Sequence, residues 1–220
     1  MREIEAIKKY YADRVEAYDI TAGYLDVRSE KLRKNMKKKY QKFFKGHKVL
    51  EIACGTGYWT KVVAKTAHSV LATDINRTML SLARKRLAKY KNVKFSITDA
   101  YKLNRIPGGF SFAFSHWWWS HMPKSKIRGF LTNLHKKLKP GARVFFSDHL
   151  PGYMHKKVEV IFNKDGDRLE VRHLKTGKKC YIIKNFPTKE EINSHLLGLG
   201  RNIKFKNYHG RWELTYNTLY

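Results

Sequence analysis

The stretch Lys48–Lys61, KVLEIACGTGYWTK, decides how the chain folds. Val49-Leu50-Glu51-Ile52-Ala53 is a short apolar run, Cys54-Gly55-Thr56-Gly57 is a small-residue turn, and a new apolar period starts at Tyr58. That is the profile of a buried strand, a tight turn and a helix start. Glycines in the turn permit positive φ and let a ligand approach with no Cβ in the way. The helix N-terminus beyond adds free N–H groups and a partial positive charge. Glu51, just before the turn, suits a ligand bearing an ammonium or sulfonium charge better than one bearing phosphates.

Working outward, the same alternation repeats. Strands read at 48–53, 69–74, 93–98, 110–115 and 142–147, with helices at about 58–66, 77–90 and 124–138, the last stopped by Pro140-Gly141. Strands alternating with helices imply a doubly wound, mostly parallel sheet of Rossmann-like α/β class. Upstream, Ile4, Ile7, Tyr11, Val15 and Tyr18 predict one amphipathic helix over 3–19, broken at Ala22-Gly23. A second helix is expected over 27–45. Downstream, 158–162 and 168–174 alternate apolar and polar residues around Asn163–Asp167, a hairpin signature, and a further strand follows at 180–184. Thr188-Lys189-Glu190-Glu191 is a capping box opening a helix that Gly200 ends, before strands at 202–208 and 211–219. The expected organisation is one domain over 1–220. It comprises a helical lid (1–45), a ligand-binding core (46–150), a hairpin insertion (151–187), and a last helix with two strands (188–220).

Composition excludes several classes. With 42% hydrophobic and 14% aromatic residues the chain is a folded globule rather than a disordered one. No stretch approaches the roughly 20 apolar residues of a membrane span, and the N-terminus lacks a signal-peptide core. Cys54 and Cys180 match no metal or redox spacing, so reduced thiols, no metal and a cytoplasmic setting are expected. The net charge of +28 implies a field that attracts polyanions non-specifically. Its lysines are scattered through every segment, as a compositional bias on solvated faces would leave them.

Open α/β sheets bind ligands at the C-terminal ends of their strands. Gly55-x-Gly57 has Thr60 where a third glycine would complete the dinucleotide fingerprint. Asp74 lies about 20 residues beyond the turn, the place of an acid that accepts two ribose hydroxyl protons; as an alternative it would cap the following helix. Asp99, after the third strand, is placed to accept from an adenine amino group, or to serve only as a turn residue.

Together V49-L-E-I-A-C-G-T-G57, A72-T-D-I-N76 and T98-D-A100 resemble the class I S-adenosylmethionine-dependent methyltransferases over roughly residues 45–150. Tyr10–Asp19 resembles the helix that closes over the cofactor in small-molecule members. The resemblance implies S-adenosylmethionine as cofactor and an antiparallel last strand. Its cofactor-binding set is Glu51, Ala53, Cys54, Gly55, Gly57, Asp74, Ile75, Met79, Asp99, Ala100, Ser115 and, from the lid, Tyr11. Ala53 departs from the family's usual glycine.

The fourth strand ends in F112-A-F-S-H-W-W-W-S-H-M-P123. It resembles a W-W-S-H-V-P stretch in a bacterial small-molecule branch of that family, which also shares an L-K-N-F-P-like run, here Ile183–Pro187. Three consecutive tryptophans cannot all face one core. His121 is a candidate base, since histidine takes a proton near neutrality, and Asp148 at the fifth strand end is the other; either can equally be a structural residue. Tyr18, Trp117, Trp119, His121 and His149 are the candidate substrate residues. In-line methyl transfer to an oxygen, nitrogen or carbon nucleophile needs positioning more than acid–base chemistry. The expectation is a small-molecule methyltransferase, with a nucleic-acid methyltransferase or binder as the alternative that the charge raises.

Overall fold

Phe112–Phe114 and Val144–Phe146 carry no polar alternation, so strands made from them need cover on both faces. The computed structural model supplies it. It describes every residue except 1, 16–17, 23, 25–29, 153–157, 175 and 209, and gives no side-chain description at 2–4, 6 and 8. The expected break at Gly23, the start of the second helix at 27–29 and the Ile4 side chain lie outside the described residues.

Five parallel strands, β1 (Lys48–Glu51), β2 (Ser69–Asp74), β3 (Val93–Ile97), β4 (Phe110–His116) and β5 (Leu138–His149), join β9 (Gly200–Tyr208) and β10 (Arg211–Thr218) in one sheet. Its order is β3-β2-β1-β4-β5-β10-β9, with the last strand, β10, antiparallel to β5. This is the class I methyltransferase arrangement, with the strand order reversing between β1 and β4. Helices α3 (Glu30–Phe44), α4 (Tyr58–Ala64) and α5 (Arg77–Arg86) cover one face through Tyr40, Phe44, Val63 and Leu80, against Val49, Phe112 and Phe145. Helices α6 (Ile127–His135) and α7 (Lys189–Leu196) cover the other through Phe130, Leu134, Ile192 and Leu196, against Leu50, Ala113 and Phe146. Thr188 caps α7 in a full capping box. The edge strand β9 buries Ile203 and Phe205 partly against the core and turns Lys204 and Lys206 outward, which discourages edge pairing.

Three expectations are corrected. Residues 3–19 are not one helix: α1 (Arg2–Asp13) ends early, and α2 (Tyr18–Thr21) follows separately. The break lets Asp19 reach the glycine turn, where it accepts from Thr56 Oγ1 at 2.6 Å and pairs with Arg86. Pro140-Gly141 does not end a helix at 138. Leu138 already pairs with Phe110, and the dipeptide lies in an irregular stretch of β5 before Arg143 meets Phe112. Gly200 opens β9 rather than ending α7.

A separate sheet, β6 (Val160–Phe162), β7 (Arg168–His173) and β8 (Lys179–Ile183), is the hairpin insertion. Ile182, Cys180 and Leu174 pack against Tyr10, Tyr11 and Ile7, so α1 rests on this sheet.

Candidate active site

Two cavities open at the C-terminal ends of the parallel strands, and they meet. The first, about 880 Å³, runs over Ala53, Gly55, Asp74, Asp99 and Trp117 and is roofed by Ile7, Tyr11 and Tyr18. The second, about 610 Å³, lies between the lid and the hairpin sheet, against Tyr10, Arg14, His149, Arg172 and Lys184. Tyr11, Tyr18, Trp117 and His121 line both.

Local chain geometry makes the first cavity. Ala53 and Trp117, at the ends of β1 and β4, hold left-handed backbone at φ 54° and 60°. Such conformations cost about 1–3 kcal/mol in non-glycine residues and gather at functional sites. The two glycines of the turn have different duties. A Cβ on Gly55 would meet nothing nearer than Tyr18 Cε1 at 3.8 Å, so that glycine leaves the cavity open. A Cβ on Gly57 would strike Leu87 and Ala83 at 2.7 and 3.0 Å, so that one lets α4 pack on α5. Asp74 accepts from the backbone N–H of Gly55 at 2.9 Å and of Asn76 at 2.8 Å. It does not cap the helix: Asn76 does, through Thr78 N and Met79 N.

Of the residues expected at the cofactor, Ala53, Gly55, Asp74, Ile75, Met79, Asp99, Ala100 and Tyr11 line the first cavity. Glu51, Cys54, Gly57 and Ser115 line neither; Ser115 donates to the Ile52 carbonyl at 2.8 Å. Glu51 is 2% exposed, and its Oε2 has no hydrogen-bond partner among the described residues. Burial, with the Asp74 carboxylate adding, pushes its pKa up to about 8. Asn76, Tyr101 and Trp118 also line the first cavity and were not anticipated; only their neighbourhood to strand ends marks them.

The shared wall is aromatic. Tyr24 stacks on Tyr58 at 4.0 Å and on Trp117 at 5.0 Å, and Trp117 leans on His149 at 4.4 Å. Trp119 does not join it. It is buried against Phe146 and Trp212 and lines neither cavity. The three tryptophans divide between shared wall, first cavity and core, as consecutive residues must.

His121 Nδ1 donates to the Ile183 carbonyl at 2.8 Å, which leaves Nε2 to accept from the Tyr11 hydroxyl at 2.7 Å. Burial first, then the Lys184 ammonium, pulls its pKa down to about 3, so the ring stays neutral. Burial raises the Tyr11 pKa, so its hydroxyl keeps the proton it donates. Asp148 is fully buried and lines neither cavity. It accepts from Ser120 N at 2.9 Å and His149 N at 2.7 Å and pairs with Lys184 at 3.5 Å. Burial alone would raise its pKa; Lys184 and the neighbouring histidines outweigh that and hold it at about 2. Asp148 anchors Lys184 and has no direct reach to an acceptor proton.

Asn185, in the run after β8, locks the hairpin to the tryptophan loop. Its Nδ2 donates to Met122 O and Asp167 Oδ1, its N–H to Ser120 O, and its Oδ1 accepts from Arg168 N. Arg14, Arg172, Glu170 and Lys184 were not anticipated at the site. The alternation in 168–174 reads as polar-outward, but the stripe carrying Glu170 and Arg172 faces the second cavity. The lid that covers it comes from the distant N-terminus.

Residues 49–141 match the family described as methyltransferase domain. The chain carries a class I S-adenosylmethionine-dependent methyltransferase domain. It is 27% identical to wheat (Triticum aestivum) phosphoethanolamine N-methyltransferase over 71% of this chain and 32% of that one. It is 29% identical to demethylmenaquinone methyltransferase of Tropheryma whipplei over 63% of this chain and 56% of that one. The chain thus spans about a third to a little over half of these relatives. A DhpI–SAH complex superposes with TM-score 0.77 at 24% identity, covering 99% of this chain and 97% of DhpI, and shares its fold. No helix among the described residues is long and apolar enough to cross a membrane.

Proposed function

We propose that the first cavity binds S-adenosylmethionine and that its methyl group passes to a small-molecule acceptor held in the second. The shared wall of Tyr11, Tyr18, Trp117 and His121 carries this reading, because ligands in the two cavities meet there.

The residues present fit the cofactor. The space in front of Gly55 admits a close-lying ligand, and the partnerless Glu51 Oε2 suits an ammonium that would draw the carboxyl back to its ionised form. Asp74 has lone pairs left for ribose hydroxyls after its two backbone bonds, and Asp99 lies across the cavity for the adenine amino group. When bound, the cofactor supplies a sulfonium methyl: the acceptor's lone pair bonds to that carbon as the C–S bond breaks, leaving a neutral thioether. The faces of Trp117 and Tyr18 favour a cation beside them and exclude water. Tyr11 and His121 orient the acceptor as one unit. With its lone pair covered and its pKa at about 3, His121 acts by fixing the Tyr11 hydroxyl rather than by taking a proton. The relatives' names, a phosphoethanolamine and a demethylmenaquinone methyltransferase, favour small acceptors. An enclosed 610 Å³ cavity likewise suits a small molecule better than a nucleic acid.

The test is transfer of labelled methyl from S-adenosylmethionine into a small-molecule extract against total RNA. Label confined to RNA would overturn the reading. Tyr11→Phe and His121→Gln should each lower kcat about 10- to 100-fold, and the double variant no further, since the two act as a unit. Additive losses would separate their roles.

A further inference from the structure

The second cavity is walled by hydrogen-bond donors, and its acids are already satisfied. Glu170 is held from both sides, by Arg168 at 2.6 Å and by Arg172. Asp148 lies behind Lys184 and accepts from two backbone N–H groups. Arg14 bonds the Tyr10 hydroxyl and lies over the Tyr10 ring at 4.8 Å. The charge acting on it is Arg172, of the same sign; burial and that guanidinium both lower its pKa. Arg172 and Lys184 are only 14% and 13% exposed, so water screens this repulsion poorly. The Tyr11 and Tyr18 hydroxyls keep their protons, Tyr18 because burial and then Asp74 and Asp19 raise its pKa. His121 is neutral with its lone pair occupied. An ammonium group entering here would find donors on every side. An anion with oxygens in three directions would bridge the two guanidiniums and meet the ammonium, and guanidinium forks match such oxygens in pairs.

We propose that the acceptor carries a tetrahedral oxyanion of the phosphate or phosphonate type, gripped by Arg14, Arg172 and Lys184 at the wall opposite the cofactor cavity. This rests on the methyl-transfer reading for the word acceptor, but the anion site is testable without it. The head needs no general base, consistent with the lack of an accessible one at His121 or Asp148.

The experiment is calorimetric titration of the protein, with and without S-adenosylhomocysteine, by methylphosphonate, acetate and ethanolamine at 0.15 M salt. Methylphosphonate should bind at least about tenfold more tightly than acetate, and ethanolamine not at all. Arg14→Gln should weaken methylphosphonate about tenfold. Lys204→Gln, on the exposed edge strand, should leave it unchanged and so excludes binding to the general surface charge. Arg172→Lys keeps the charge beside Glu170 and should weaken it by a smaller factor through loss of the fork. Acetate or ethanolamine binding as tightly as methylphosphonate would overturn the proposal, as would methylphosphonate affinity that Arg14→Gln leaves intact. Failure of S-adenosylhomocysteine to bind while methylphosphonate still binds at Arg14 would overturn the methyl-transfer reading and leave the anion site standing.

Discussion

The two cavities are adjacent but are built in different ways. The first is made by strand ends and the turns that leave them, over a run from Ala53 to Trp118, with only its roof contributed by the lid. The second is assembled from three distant pieces: Tyr10 to Ala22, the tryptophan loop, and the hairpin through Lys184. They also differ in how their buried groups hold protons. The acids beside the first cavity, Glu51 and Asp74, have raised pKa values, chiefly through burial. Beside the second, His121 and Asp148 have lowered ones. One region is a contiguous motif that tolerates protons, the other a long-range assembly that excludes them.

The largest expected effect tests that contrast by pH. A group whose pKa is lowered by folding contributes stability above its ordinary pKa and loses it as pH falls through the folded value. For His121 the window runs from about 6.5 down to about 3 and is worth roughly 5 kcal/mol; Asp148 adds a smaller loss between about 4 and 2. Glu51 has the opposite sign, stabilising below about 4.5 and losing that as pH rises through about 8. Thermal unfolding from pH 8 to 3.5 should therefore show Tm declining from about pH 6.5, with His121→Gln giving a flatter acid limb. An acid limb identical in the variant would remove His121 as its cause.

A smaller effect tests the assembly itself. Asn185→Ala strips the joint between hairpin and tryptophan loop and leaves Asp167 and the Met122 carbonyl short of a partner, costing about 2–4 kcal/mol in chemical unfolding. A loss within 0.5 kcal/mol would mean that the hairpin docks by apolar packing alone.

The same contrast explains what could be read from sequence. The sheet and the first cavity were legible because each strand, turn and acid lies within a short span whose spacing carries the geometry. Asp74, Asp99 and Gly55 are marked by position alone. Arg14, Arg172 and Lys184 are three among 46 Lys and Arg residues, and nothing local separates a cation in a cavity wall from one in water. Trp119 illustrates the reverse error: adjacent to two site tryptophans, it turns inward because a short 3₁₀ turn, Trp119–His121, begins there. The split between α1 and α2 was hidden too, since an unbroken apolar period cannot show that Asp19 has a partner in Thr56 and Arg86.

The most direct measurement is a calorimetric titration of S-adenosylhomocysteine into the wild-type protein, Asp74→Ala and Arg14→Gln. The two-cavity account predicts micromolar-range binding to the wild type, a loss of about 100-fold or more in Asp74→Ala, and wild-type affinity in Arg14→Gln. Unchanged affinity in Asp74→Ala, or an equal loss in both variants, would contradict it.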